Sequence, residues 1–418
     1  MKLAGTALLL SLSGASALGA GAQKPLEATS ESKAPSYRDD LVSLHKSLVE
    51  ISSVSYSENA VGTFVVDYLT ARGFIAELEF LPPAEGDGPG DGKPRFNVLA
   101  WPGPDHHPSP SVLVTSHIDT VPPFIPYSRS NDDETLTSET VIAGRGTVDA
   151  KGSVAAQITA VVELLAAKQI APGDVMLLFV VGEEASGDGM RHFSDTRSKL
   201  DPAPDFQAVI FGEPTEGKLA CGHKGFFGCT ITAHGRAGHS GYPWLGKSAT
   251  EVLLRALVKI LDTDLGSSEA FGNTTINVGT ISGGVAANVI PESAVAHIAG
   301  RVAIGPELDG GRIVTERVRE LLKGVDEDAF EAECFNGYGS VECNCDVPGF
   351  DTITVNYGTD VPNLKGNHTR YLYGPGSILV AHGADEAIKL KDLETGVEDI
   401  KKLILHAVKK DASEIKEL

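Results

Sequence analysis

Leu41, Leu44, Leu48 and Ile51 recur at helical spacing after a polar stretch that ends near Pro35, and they predict the first helix of the chain. Ser55 and Glu58 have the spacing of a capping box and predict a second helix running through Tyr68. Pro82 to Pro94, PPAEGDGPGDGKP, is a loop by composition. Strand and helix patterns then alternate. The apolar runs FNVLAW, VLVTSH, VMLLFVV and AVIF are interrupted by a helix with Val154, Ile158, Val161, Val162 and Leu165 on one face. Continuous apolar strands separated by helices predict an α/β domain, a mostly parallel sheet with helices on both faces.

The texture changes near Gly225. CTITAHG alternates with period two, TTINVGTI and AVAHIAGRVAI are strand-like, and two helix stripes run over Val252 to Leu261 and Ile313 to Leu322. This order predicts a smaller α+β unit with a four-stranded antiparallel sheet and two helices. GSILVAHGADE, further on, reads as another strand of the first domain, which makes the smaller unit an insertion. The expected layout is a catalytic domain in two parts, 37–225 and 341–418, around an inserted domain at 226–340.

A chain of 418 residues, 42% hydrophobic, suits two domains with sizeable cores. Its net charge of −21 argues against nucleic acid or an anionic membrane as partner and leaves many carboxylates for metal binding. The first residues, MKLAGTALLLSLSGASALGAGAQK, read as a secretory signal over 1–22, followed by a flexible leader over 23–36. A secreted protein is therefore expected, and the sequons at Asn273 and Asn367 are candidate glycan sites. An odd count of five cysteines leaves at least one thiol unpaired or paired between chains.

Metal-ligand residue types follow strand after strand. VLVTSHID ends in His117 and Asp119, which point the same way in an extended chain; VMLLFVVGEE ends in Glu183 and Glu184; AVIFGEPTE contains Glu213; SILVAHGADE contains His382. Asp149 sits in the glycine-rich turn GRGTVDAKGS ahead of the Val154 helix. Open α/β sheets place their sites at the carboxyl edge of the strands, where these residues fall. Nitrogen and oxygen donors without thiolate favour zinc, with cobalt or manganese possible, and the number of donors suits two ions bridged by Asp149. The adjacent Glu183 and Glu184 need separate roles, one binding metal and the other moving the proton of the attacking water.

Seven motifs, SHIDTVPP, GRGTVDAKGS, GEEASGDGM, GEPTE, GRAGHSGYP, ANVIPES and GPGSILVAHGADE, occur in the order found in a known family. From about Tyr37 to its end, the chain resembles the dizinc peptidases and deacylases that include glutamate carboxypeptidase, succinyl-diaminopimelate desuccinylase, acetylornithine deacetylase and aminoacylase. The resemblance implies one zinc on His117 and Glu213, another on Glu184 and His382, Asp149 between them, Glu183 as general acid/base, and Asp119 orienting His117. It further implies that His239 reaches the active site across a homodimer formed through the inserted domain. Asn288 and Arg301 would bind the substrate's carboxylate, helped by the backbone near Gly376. Relatives commonly carry an acidic residue two positions before the arginine, where this chain has Ala299.

The expected activity is that of a secreted zinc metallocarboxypeptidase, cleaving the amide before a C-terminal residue with a dizinc-bound hydroxide. One alternative keeps the mechanism and takes N-acyl amino acids as substrate. A third reading, from another class, is a catalytically silent extracellular binding protein. It is disfavoured because no ligand position and no Glu183 equivalent is missing.

Overall fold

Residues 34–83, 90–103, 110–130, 135–199 and 203–414 are described by the computed structural model. The expected signal, 1–22, and nearly all of the expected leader, 23–36, lie outside the described residues, as do His106 and His107. No helix among the described residues is long and apolar enough to cross a membrane.

Two helices open the body, α1 (Arg38–Glu50) and α2 (Asn59–Thr70). Leu41, Leu44 and Leu48 are buried on the inner face of α1, as their spacing requires, while Ile51 stands just past its end. The capping-box reading does not hold. Glu58 precedes α2 without a side-chain cap and pairs with Arg95, while Ser55 donates to Asp119 Oδ2 at 2.7 Å. A buried charge partner and a buried acceptor outcompete the local cap.

The large sheet contains, in chain order, β1 (Phe74–Phe80), β2 (Phe96–Pro102), β3 (Val112–His117), β4 (Val175–Val180), β5 (Ala208–Gly212) and β6 (Leu219–His223). The inserted domain supplies β7 (Gly225–His234), β8 (Thr275–Gly283), β9 (Ser293–Val302) and β10 (Phe330–Tyr338). The chain then returns to the large sheet with β11 (Val341–Glu342), β12 (Thr352–Val355) and β13 (Thr369–Leu372). The spatial order is β1-β2-β4-β3-β5-β13-β6-β11, with β12 also on β6. The run β4-β3-β5-β13 is parallel, whereas β1, β2, β6 and β11 join antiparallel at the flanks.

β3 and β4 are buried along their whole length, which is why they read as unbroken apolar runs. On one face Val112 and Val114 pack with α1, α2, α3 (Lys151–Ala166) and α7 (Leu390–Glu414); on the other Leu113 packs with Met190 and Phe193 of α4 (Asp188–Thr196).

The run GSILVAHGADE is not a strand. Ser377 to Ala381 forms turns, with Leu379 87% exposed, and the strand that returns the chain to the large sheet is β13, sequence TRYL. Glycines on both sides favour turns, and those apolar residues stay in a loop.

The inserted domain is an antiparallel sheet in the order β8-β9-β7-β10. Helices α5 (Ala249–Leu261) and α6 (Gly310–Val325) cover one face, burying Phe227, Ile231, Leu253, Ile298 and Val318 together. Two disulfides, Cys221–Cys345 and Cys229–Cys334, leave Cys343 as the free thiol.

Candidate metal centre

The three central parallel strands β4, β3 and β5 deliver their side chains to one edge of the sheet. His117 is the last residue of β3, Glu213 follows β5 by one residue, and Glu183 and Glu184 lie in the turn after β4. Asp149 comes from the turn before α3, and His382 from the loop between β13 and α7. His382 has φ 63°, a left-handed conformation uncommon for a side-chain-bearing residue, which turns its ring toward Asp149 and Glu184.

The two oxygens of Asp149 face different histidines. Oδ1 lies 3.1 Å from His117 Nε2, and Oδ2 lies 3.3 Å from His382 Nε2. Glu213 Oε2 is 3.8 Å from His117 Nε2, and Glu184 Oε2 is 3.0 Å from His382 Nε2. Two sets, His117–Asp149–Glu184 and His117–Glu183–Glu213, bring donor atoms within 4.8 Å of one another.

Burial of this much acid perturbs every group. Glu184 and Glu213 are pushed up to about 7 by burial and by neighbouring carboxylates, and Glu183 is held well above the usual range by burial and by Glu213. Burial pushes Asp149 upward as well, but there hydrogen bonds with His117 and His382 outweigh it and keep the acid below its ordinary range. Hydrogen bonds to Asp149 and Glu184 raise His382 to about 10. This surplus of buried negative charge, lined by nitrogen and oxygen donors, fits divalent cations.

Asp119 reaches His117 through its main chain. His117 Nδ1 donates to the Asp119 carbonyl at 3.0 Å, while Oδ1 of Asp119 is 3.5 Å away. The Asp119 carboxylate instead accepts the backbone amides of Glu183, at 3.1 Å, and Glu184, at 3.2 Å.

A further set of residues was assigned no role from the sequence. Glu386 Oε1 accepts the amides of Gly146, Val148 and Asp149 at 3.0, 3.1 and 3.3 Å. Its other oxygen takes Arg145, which also donates to the carbonyls of His382 and Gly383. Glu386 thus ties the Asp149 turn to the His382 loop. The signal was present in GRG and ADE, but nothing in a linear pattern says that these meet.

The centre opens into a cleft of about 720 Å³ lined by both domains. Arg301 lines it, together with Phe226, Phe335 and Tyr338 of the inserted domain and the segment Tyr357–Asp360, which the sequence reading missed. His239 and Asn288 are exposed and lie elsewhere, joined by the pairing of His239 with Val289 and by the Ser240 amide donating to the Asn288 carbonyl. Gly376 does not line the cleft; it is buried, and its carbonyl accepts the Glu216 amide. Asn273 and Asn367 are both exposed.

Residues 221–326 match a peptidase dimerisation domain of the M20 type, and residues 97–211 match peptidase family M28. A Sordaria macrospora protein described as peptidase M20 domain-containing is 59% identical over 90% of this chain and 86% of its own. The chain belongs to the M20 peptidase family. An Aspergillus fumigatus relative named as a probable carboxypeptidase is 46% identical over 89% of this chain and 88% of its own. The crystal structure of a tripeptidase from Staphylococcus aureus shares the fold with a TM-score of 0.71 at 19% identity, covering 89% of this chain and 99% of that one. The M28 match falls on the large sheet, and the M20-type dimerisation match falls on the insertion. As an M20 peptidase, the protein is a hydrolase with a candidate metal site at the strand ends.

Proposed function

We propose that this M20 peptidase is a secreted metallocarboxypeptidase that removes C-terminal residues from peptides, using two zinc ions, or cobalt or manganese in their place. The observation that carries the two-ion reading is Asp149, whose oxygens address His117 on one side and His382 on the other. His117 and Glu213 would hold one ion, and His382 and Glu184 the other. Ions bound there would supply Lewis-acid activation of a carbonyl and a water.

The chain's own groups do the rest. Glu183 lines the cleft, and burial gives its carboxyl the raised proton affinity a general base and acid needs. It takes the proton of the attacking water and delivers it to the leaving nitrogen. Arg301 offers a fork-shaped cation for the substrate carboxylate. His239 and Asn288, outside the cleft of their own chain, are the groups a second copy would receive across a homodimer, and the dimerisation-type insertion supports that arrangement.

Secretion is supported by the first residues, by the exposure of both sequons, and by two disulfides, which persist in oxidising compartments. The reaction is tested by amino-acid release from N-blocked dipeptides and N-acetyl amino acids, with and without chelator. Chelator-sensitive release from the dipeptides is expected; activity confined to the acetyl compounds would make the protein a deacylase.

A further inference from the structure

The inserted domain meets the cleft with the open face of its sheet. Arg301 of β9 and Tyr338 of β10 are both register partners of Phe226 in β7, so the three stand side by side across adjacent strands. Phe227, the next residue of β7, points the other way into the helix-covered core. The Arg301 guanidinium lies 5.5 Å from the Phe226 ring centre, and the Phe335 ring centre lies 6.4 Å from the same ring. Phe335 is 61% exposed and Leu308, also on the cleft wall, is 88% exposed. Large apolar side chains left in water on the wall of a cleft, beside a cation, are the make-up of a ligand-contact surface.

The charges on this wall point to the ligand's sign. Among the described residues no carboxylate lies within ion-pair distance of Arg301, while the nearby Glu307 is neutralised by Arg370 at 2.7 Å. Ala299 stands two residues before Arg301 on the same face, opposite Gly228, which in turn faces Phe335. At this position the chain presents only a methyl group. The Phe226 ring reaches within 3.8 Å of where a Cβ on Gly228 would sit, so its hydrocarbon lies beside that small residue.

We propose that this wall is the specificity subsite for the substrate's C-terminal residue and that it selects aromatic and large aliphatic side chains. The terminal carboxylate pairs with Arg301, and the side chain packs on Phe226, Phe335 and Leu308. The inference rests on the carboxypeptidase reading and deepens it by naming the substrate class.

The test uses the full-length, zinc-loaded protein and N-blocked dipeptides that differ only in their last residue: Phe, Leu, Ala, Glu or Lys. The kcat/KM for Phe and Leu should exceed that for Glu and Lys by about tenfold or more. Phe335→Ala should lower kcat/KM on the Phe substrate about fivefold more than on the Ala substrate, with the difference carried by KM, and Phe335→Leu should restore most of it. Ala299→Glu, which adds a carboxylate to the open face without touching the core, should erase the preference for Phe over Lys. Chelator-sensitive release that ignores the last side chain, or variants that slow all five substrates equally, would overturn the subsite and leave the carboxypeptidase standing. No chelator-sensitive release from any of the five would overturn the carboxypeptidase reading, and the subsite with it.

Discussion

Asp119 Oδ1 accepts the backbone amide of Glu183 at 3.1 Å, so a carboxylate at the end of one strand holds the position of the proposed acid/base at the end of the next. Its Oδ2 holds Glu184 in the same way. Asp119→Asn would turn an amide NH₂ toward one of these backbone N–H groups. We expect kcat to fall about 10–100-fold with the fold intact, as measured by steady-state kinetics alongside circular dichroism. An unchanged kcat would mean that the turn holds its own shape.

Glu183→Gln keeps the shape and removes the proton carrier. Turnover should drop by about 10²–10⁴ while metal content, read by atomic emission, stays at the wild-type level. Full activity in this variant would remove Glu183 from the mechanism.

Chelation should abolish turnover and lower the melting temperature by at least about 2 °C, since ions that bind only the folded state stabilise it. Zinc added back should restore both, and cobalt or manganese should restore activity in part. A melting curve indifferent to chelator would contradict a cation site in so acidic a cluster.

His239→Ala and Glu183→Gln should each be nearly inactive alone. If His239 serves the partner's cleft, co-expression should recover about a quarter of wild-type activity, because half of the dimers then contain one complete site. Mixtures that stay inactive would place His239 at its own chain's site or at none.

His45 and His223 are fully buried, and burial lowers both from 6.5 to about 4. His45 Nε2 donates to the Thr147 carbonyl, and His223 bonds the Lys224 carbonyl and Thr359 Oγ1. The unfolded chain takes up these protons near pH 6.5 and the folded chain only near pH 4. The folded state therefore binds fewer protons in between, and stability falls as the pH drops through that window, by up to about 3 kcal/mol for each histidine. Thermal melts between pH 7 and 4 should show a shallower loss in His223→Asn than in wild type. An identical slope would mean that the buried ring is protonated in the folded state.

The parallel core and the inserted α+β unit were legible because β3, β4 and the alternating β7 carry burial directly in their apolar pattern. His117, Glu183, Glu184 and Glu213 were legible because each ends or follows a strand of the parallel run, and strand ends of a parallel sheet converge. Asp149, by contrast, comes from the turn before α3, and His382 from a loop whose apolar pattern reads as a strand. What stayed hidden depends on contacts across the chain. Ser55 bonds Asp119 instead of capping a helix, and the apolar Ser377–Ala381 stretch folds as turns. Glu386 acts through backbone amides some 240 positions earlier, and no local spacing encodes that.

The Cys221–Cys345 bridge closes just outside both ends of the inserted sheet, spanning 124 positions. One peptide-bond cut anywhere between those cysteines leaves the two pieces covalently joined. A protease that nicks the exposed 283–288 hairpin would therefore produce a two-chain molecule that keeps its Arg301 wall, and only reduction would release the fragments.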